Sequence, residues 1–296
     1  MISTHEAFKK FRSRLELNQR EQEDASRRQK RVRAVMDKAF AIEDDFLTGS
    51  YRRWTKTKPL KDVDIFCVLG RKERHYRDKA PAVLLADVEA ALIDEYGKEN
   101  VSCQRRSVTV NFGVVEVDGE TNDQVMSFDV VPAFTKGDHY EIPDTAVSSG
   151  WTETNPKIHA EKAVKAQEAY AGEWKGLVRM MKAWNRQQGK PVKPSFLLEV
   201  MALEMLHPPF GGDYRREMQA FFASTAARIG EDWPDPAGLG PPVSDSMDAQ
   251  QRAAARIALL TAEKQAANAI RLEREGKNGE ALRAWRALFG PLFPLS

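Results

Sequence analysis

The sequence predicts an α+β fold with two lobes, a mixed α/β lobe over residues 1–150 and a helical lobe over residues 151–296. The β-rich runs lie in the first half of the chain, whereas helical spacing of apolar residues dominates after about residue 150. At 296 residues the chain can bury a sizeable core in one large domain or in two lobes. We expect a cleft between the lobes to hold the functional site.

The N-terminal lobe mixes helical and strand-like segments. Apolar residues at helical spacing predict a long helix over residues 4–45, which bends or breaks in the charged stretch Asn18 to Arg31. Gly49-Ser50 then interrupts the pattern. The remaining predicted elements are a strand at 62–69, an amphipathic helix at 81–96, a strand at 107–117, a turn at Asp118-Gly119 and a strand from Val125 to Phe134.

The C-terminal lobe shows only helical patterns. A loop rich in proline and glycine, Trp233 to Pro242, separates the last two helices from the others. The predicted helices span residues 156–188, 195–206, 214–229, 247–275 and 278–288.

Composition places the chain among ordinary soluble proteins, with 42% hydrophobic and 30% charged residues. A net charge of +2 gives no strong nucleic-acid signal. Cys67 and Cys103 make neither a disulfide framework nor a zinc site, and they fit a reducing compartment. No apolar run approaches the length of a membrane span, and the first residues lack the apolar core of a signal peptide. We therefore expect a cytoplasmic protein with no membrane partner.

Three aspartates form the candidate catalytic group. Asp62 and Asp64 lie two apart on a predicted strand, so both side chains point to one face, while Val63 and Ile65 take the other. Two carboxylates this close repel each other, and a divalent cation removes that cost. Asp129 lies inside a second apolar strand, where an acidic residue is unusual unless it has a partner. Pairing of the two strands brings a third carboxylate to the group and allows two Mg²⁺ ions to bind.

An isolated Asp-x-Asp is more often a strand end or a solvated pair, so the upstream context matters. Gly49-Ser50 precedes Asp62 by eleven residues, five of which are basic. A Gly-Ser turn offers backbone N–H groups and a hydroxyl that can hold phosphate oxygens. The Gly-Ser turn, the Asp-Val-Asp and the distant Phe-Asp-Val-Val-Pro together make a far more specific pattern than any one of them.

This combination resembles the signature of polymerase β-type nucleotidyltransferases. The run Gly49-Ser-Tyr-Arg-Arg-x-Thr-x-Thr57 followed by Asp62-Val-Asp-Ile-Phe66 looks like the cGAS/DncV-like nucleotidyltransferases of bacteria (CD-NTases), which make cyclic oligonucleotide signals in anti-phage CBASS systems. The resemblance implies a polymerase β-like core with a long N-terminal helix and a helical second lobe. It also implies that Gly49 and Ser50 hold a triphosphate, while Asp62, Asp64 and Asp129 bind two Mg²⁺ ions, or Mn²⁺.

A second group of candidate residues lies on the predicted helix at 174–186 and just after it. Lys175, Arg179, Lys182 and Arg186 form a basic stripe there, which on most helices is only a solvated face. Ser195 is a natural helix N-cap, and Phe196 beside it could equally be core. The resemblance implies that Lys182 and Ser195 bind the donor triphosphate and that Phe196 stacks on its base.

The implied activity is the joining of nucleoside triphosphates, ATP among them, into a cyclic di- or trinucleotide by attack of a ribose hydroxyl on an α-phosphate. A regulatory protein and a separate effector that binds the product are the implied partners. Three alternatives stay open: a linear or tRNA-end nucleotidyltransferase, an enzyme that nucleotidylates a small molecule or a protein, and a catalytically inactive nucleotide-binding module. All three acids are present, which argues against the inactive module.

Overall fold

The computed structural model describes residues 2–113 and 125–296 and divides the chain into two compact units. One unit is Leu17–His159, and the other combines the N-terminal segment up to Glu16 with Ala160–Ser296. The division falls near the predicted boundary at residue 150. It differs at the N-terminus, because the first helix packs its apolar side chains into the core of the helical unit.

The α/β unit contains seven strands and three complete helices among its described residues. Its strands build one continuous sheet, and a 3₁₀ segment, Arg71–Asp78, follows the second strand. The elements are α2 (Gln19–Ala39), β1 (Ile42–Thr48), α3 (Gly49–Arg52), β2 (Asp62–Leu69), α4 (Pro81–Tyr96), β3 (Val101–Cys103), β4 (Val108–Asn111), β5 (Ser127–Lys136), β6 (His139–Pro143) and β7 (Trp151–Thr154).

The sheet is mixed, with strand order β1-β2-β5-β4-β3. Strands β2 and β5 run parallel, whereas β1 pairs antiparallel with β2, and β4 antiparallel with β5. The far end of β5 pairs with β6, which pairs with β7. The parallel pair lies at the centre of the main path, so two strands distant in sequence become neighbours.

The two faces of β2 have different surroundings. Val63, Ile65, Cys67 and Leu69 enter the large core that α2 and α4 share with the sheet, which confirms the predicted alternation. Phe66 and Val68 lie on the opposite face in a smaller apolar cluster with Ala133 and Tyr140. Asp62 and Asp64 share this second face by alternation. The face is thus apolar at its far end and acidic where β2 begins.

The helical unit has its own core, built from apolar side chains of seven helices. The apolar stripe of α6, which includes Trp174, Leu177 and Met181, is fully enclosed there. The helices are α1 (Thr4–Leu15), α6 (Trp174–Gln187), α7 (Phe196–Met205), α8 (Tyr214–Arg228), α9 (Ala249–Arg274) and α10 (Asn278–Phe289), and α5 (Pro156–Ala169) contains the boundary between the units. No helix within residues 2–113 and 125–296 is long and apolar enough to span a membrane.

The predicted helix over residues 4–45 breaks at the start of the charged stretch, as expected, but its predicted end is wrong. It breaks after Leu15 because Asn18 caps a new helix, its side chain accepting from Glu21 N–H while Glu21 accepts from Asn18 N–H. It ends at Ala39, and Ile42–Thr48 forms β1 on the edge of the sheet. Residues 42–48 form a strand because they pair with β2, and no local pattern reveals that pairing.

Other differences lie in short elements. The predicted helix at 156–188 is two helices, because Ala171 and Gly172 adopt positive φ values of 52° and 83° after α5. Strands β3, β6 and β7 were not predicted, and β7 lies beyond residue 150, where only helices were predicted. The last part of the predicted strand at 107–117 and the turn at Asp118-Gly119 lie outside the described residues.

Candidate active site

Strand register brings the predicted acids together. Asp64 on β2 pairs directly with Asp129 on β5, and Thr48 and Thr109 flank them on β1 and β4. Four polar side chains therefore form one row across four strands. Asp62 lies two residues before Asp64, on the same face of β2. We call Asp62, Asp64 and Asp129 the acid cluster.

The pKa of Asp64 reflects its crowded position. Its pKa is raised from 3.8 to about 6, first by burial and then by the charges of Asp129 and Asp62, while Lys56 and Arg53 act in the opposite direction. An acid in this position gains from any cation placed beside it.

Asp129 is held by a hydrogen bond from its neighbour across the sheet. The Thr109 hydroxyl donates to Asp129 Oδ1 at 2.5 Å. Burial raises the pKa of Asp129, the Thr109 hydrogen bond lowers it, and the charge of Asp62 raises it again, with a net increase. The sequence did not single out Thr109, because its partner depends on the register of β4 with β5.

Gly49 and Ser50 begin the one-turn helix α3, directly after β1. Gly49 has a φ of +62°, and a Cβ at this position would lie 1.7 Å from Asp64 Oδ2. Only glycine fits this conformation and this approach. Ser50 O accepts the N–H groups of Thr55 at 3.0 Å and of Lys56 at 3.1 Å, which closes the turn. The Gly-Ser turn thus lies against the acid cluster.

Lys56 is a member of the site that sequence analysis did not single out. Its Nζ lies 2.7 Å from Asp62 Oδ2, and 12% of its side chain is exposed, against 50% for Asp62. The sequence showed only that five of the eleven residues between Ser50 and Asp62 are basic. That composition could not show which basic residue reaches the acids.

The donor set of the acid cluster suits a hard divalent cation. Carboxylate oxygens are the ligands that Mg²⁺ prefers, and the raised pKa of Asp64 shows that added positive charge is favourable there. Among the residues that the structure describes, no three His, Cys, Asp or Glu side chains stand in an arrangement ready to hold a metal ion. The acids fit the ion in chemistry, and their side chains have to reorient to coordinate it together.

The basic stripe of α6 is not simply a solvated helix face, which was the alternative interpretation of its sequence. Arg179 and Lys182 are 6% and 8% exposed. Arg179 Nη2 lies 2.6 Å from Glu16 Oε1, and Lys182 Nζ lies 2.5 Å from Glu199 Oε1 on α7. Glu199 is 2% exposed, so Lys182 belongs to a buried ion pair. The sequence prediction did not include this acidic partner.

Ser195 and Phe196 lie where α7 begins. Ser195 occupies the N-cap position but makes no capping hydrogen bond with its side chain, and it is exposed. Phe196 is half-buried and packs against the core of the helical unit. Asn185 holds the preceding loop through paired hydrogen bonds with the backbone of Val192, at 2.8 and 2.9 Å. A loop fixed in this way presents the Ser195 hydroxyl to solvent.

The chain matches known proteins over most of its length. The profile of the Second Messenger Oligonucleotide or Dinucleotide Synthetase domain matches residues 2–166. A "Probable cyclic nucleotide synthase" of Bacillus cereus (strain VD146) is 26% identical over 291 residues, covering 87% of this chain and 84% of that protein. The cyclic AMP-AMP-AMP synthase of an Acinetobacter strain is 28% identical over 271 residues, covering 85% and 73%.

A solved structure shares the fold. CdnC of Escherichia coli MS115-1 with ATP superposes with a TM-score of 0.71 at 19% identity, covering 99% of each chain. The same protein was solved in complex with HORMA-deltaN, with the same TM-score and 98% coverage of each chain.

The fold and the domain match first define a class: this chain is a nucleotidyltransferase that makes cyclic oligonucleotides. It belongs to the Second Messenger Oligonucleotide or Dinucleotide Synthetase domain family and is a cGAS/DncV-like nucleotidyltransferase.

Proposed function

We propose that the enzyme joins nucleoside triphosphates, with ATP as at least one substrate, into a cyclic di- or trinucleotide. The register of Asp64 with Asp129 carries the proposal, because it places three carboxylates on one face beside the Gly-Ser turn. Adenine is supported by the Acinetobacter relative, named for an all-adenine product, and by the fold neighbour solved with ATP.

The chemistry is transfer of a nucleotidyl group. A ribose hydroxyl oxygen of one nucleotide forms a bond to the α-phosphorus of another, the bond to pyrophosphate breaks, and the hydroxyl proton leaves to a base. Asp129 is our candidate to assist removal of that proton, since it lies beside Asp64 in the acid cluster and is held there by the Thr109 hydroxyl. Asp62, Asp64 and Asp129 are the residues that would hold two Mg²⁺ ions, and the ions would supply stabilisation of the charge that develops on the reacting oxygens.

The remaining candidate residues serve the triphosphate. Ser50 offers a hydroxyl and an N–H group at the start of α3, directly after the glycine that touches Asp64. We propose that Lys182 and Ser195 contact the leaving pyrophosphate and that Phe196 contacts the base. For these three residues the support is the family resemblance together with the exposed Ser195 hydroxyl.

The product acts as a second messenger in antiviral defence under this proposal. A separate effector binds the product, and a regulatory protein controls the synthase. The fold neighbour solved with HORMA-deltaN supports a regulatory partner of that kind. The proposed setting is the cytoplasm, where nucleoside triphosphates are plentiful.

Product analysis tests the function directly. The purified enzyme is incubated with Mg²⁺ and each nucleoside triphosphate alone, then with all four, and the products are identified by mass spectrometry before and after phosphatase treatment. A cyclic product has no terminal phosphate and keeps its mass. We expect a phosphatase-resistant product that contains adenine. Products with pyrimidines only contradict the adenine assignment, and linear products only contradict cyclisation.

A further inference from the structure

The acid cluster has a positive charge of the chain's own beside it. Lys56 Nζ contacts Asp62 Oδ2 at 2.7 Å, and the lysine side chain is largely buried. Burial raises the pKa of Asp64 and of Asp129, and the Lys56 charge opposes the increase at both acids. One ammonium group therefore acts on all three carboxylates.

The backbone fixes Lys56 in this position. Its N–H donates to Ser50 O, as does that of the fully buried Thr55. The turn that presses Gly49 against Asp64 therefore also fixes the start of the lysine side chain. With 12% of its side chain exposed, Lys56 has less rotamer freedom to lose on pairing than a surface lysine has. Its contact with Asp62 is built into the fold.

Lys58 provides an internal comparison. Its Nζ lies 3.3 Å from Glu21 Oε2, and its side chain is 13% exposed, against 12% for Lys56. The two lysines match in burial and each pairs with a carboxylate, although Glu21 is fully buried and Asp62 is half exposed. Lys58 pairs with an acid of α2, whereas Lys56 pairs with a member of the acid cluster.

We propose that Lys56 is the resident counter-ion of the acid cluster and that a divalent cation must displace its ammonium group from Asp62 in order to bind. This inference rests on the proposed function, since it takes the acid cluster as the metal site. An ammonium group and a metal ion compete for the same carboxylate oxygens, so the lysine weakens metal binding. Lys56 thereby sets the metal concentration at which the site fills.

The test measures metal affinity rather than activity. Mn²⁺ alone is titrated into nucleotide-free enzyme, and the free ion is followed by electron paramagnetic resonance. Thermal unfolding against Mn²⁺ concentration extends the range to weak binding. We expect Lys56→Gln to tighten Mn²⁺ binding by about three- to tenfold, the range expected for loss of one partly exposed ion pair. Lys56→Arg keeps the charge and stays within about twofold of wild type.

The controls separate this inference from the proposed function. Lys58→Gln removes an equally buried charge and leaves Mn²⁺ affinity within about twofold of wild type. Asp62→Asn with Asp64→Asn removes the site and abolishes binding. Unchanged or weaker binding in Lys56→Gln, or equal tightening in Lys58→Gln, overturns the role of Lys56 while the site stands. Wild-type affinity in the Asp62/Asp64 variant overturns the site itself, and this inference with it.

Discussion

A Cβ atom on Gly49 would lie 1.7 Å from Oδ2 of Asp64. Any side chain at position 49, directly after β1, would therefore collide with the Asp64 carboxylate on β2. The same glycine has a φ of +62°, which side chains rarely adopt. A motif residue and a candidate catalytic residue are thus tied together by packing.

Gly49→Ala tests this packing. We expect a loss of stability of about 1–3 kcal/mol and a large loss of activity, because the methyl group displaces the Asp64 carboxylate. Gly137→Ala is the matched control, since Gly137 has a φ of +63° and open space around its Cβ position. Thermal unfolding and initial rates are measured for both. Equal losses of activity in the two variants contradict the packing argument.

The raised pKa of Asp64 predicts how stability depends on pH in EDTA. The folded pKa of about 6 exceeds the ordinary value of 3.8, so the folded protein binds the extra proton between these values. The destabilising effect of the ionised Asp64 carboxylate is absent below about pH 4, grows as the pH rises, and is complete above about pH 6. Asp64→Asn should therefore raise the melting temperature at pH 7.5 and have little effect near pH 4.5.

The pKa of Asp144, in the same unit, is lowered rather than raised, so its charge stabilises the fold. Burial acts to raise its pKa, but hydrogen bonds from Arg105, Ala146 N–H and Arg106 lower the pKa well below its ordinary value. Asp144→Asn should thus lower the melting temperature at pH 7.5. Should Asp64→Asn also lower it at pH 7.5, the charge crowding we infer in the acid cluster is wrong.

The sequence predicted the acids because its information there was local. Period-two alternation placed Asp62 and Asp64 on one face, and an acid inside an apolar strand marked Asp129. The parallel pairing of β2 with β5 then follows from burying both apolar faces. Local patterns likewise located β2, α4 and the last helices to within about two residues.

The missed features depend on contacts between distant residues. Strand β1 has three consecutive acidic residues and forms because β2 offers it an edge. Glu199 pairs with Lys182 across 17 residues, and Thr109 with Asp129 across 20. No periodicity encodes such partners. The break in the first helix was predicted from the charged stretch, and the capping-box spacing of Asn18 and Glu21 marks its position.

Thr109→Val removes the hydrogen bond to Asp129 while keeping the shape of the side chain. Because that bond lowers the pKa of Asp129, its loss raises the pKa and shifts the acidic limb of the pH–rate profile upward. We expect turnover near neutral pH to fall by about two- to tenfold, the worth of one hydrogen bond. Thr109→Ser should behave like wild type. A profile that stays in place with valine contradicts a catalytic role for this contact.

The ion pair of Lys182 and Glu199 changes how the lysine must be tested. Lys182→Ala should weaken triphosphate binding, but it also removes the positive charge beside the buried Glu199 carboxylate, which costs about 3–5 kcal/mol of stability. The double variant Lys182→Met/Glu199→Gln removes both charges and avoids this cost, whereas Glu199→Gln keeps the Lys182 ammonium group beside a neutral hydrogen-bond acceptor. We expect ATP to bind about ten- to a hundredfold more weakly to the double variant than to Glu199→Gln. Equal dissociation constants from calorimetry show that the lysine is only structural.

The most direct measurement is the single-turnover rate of nucleotide incorporation, with Mg²⁺ and ATP, for wild type and for Asp62→Asn/Asp64→Asn. Circular dichroism and thermal unfolding in EDTA confirm that both proteins are folded. The account predicts that the variant keeps its fold and makes no detectable product, while Lys58→Gln, which removes a charge outside the acid cluster, stays active. A folded double variant that forms product at close to the wild-type rate contradicts the assignment of the acid cluster as the catalytic site.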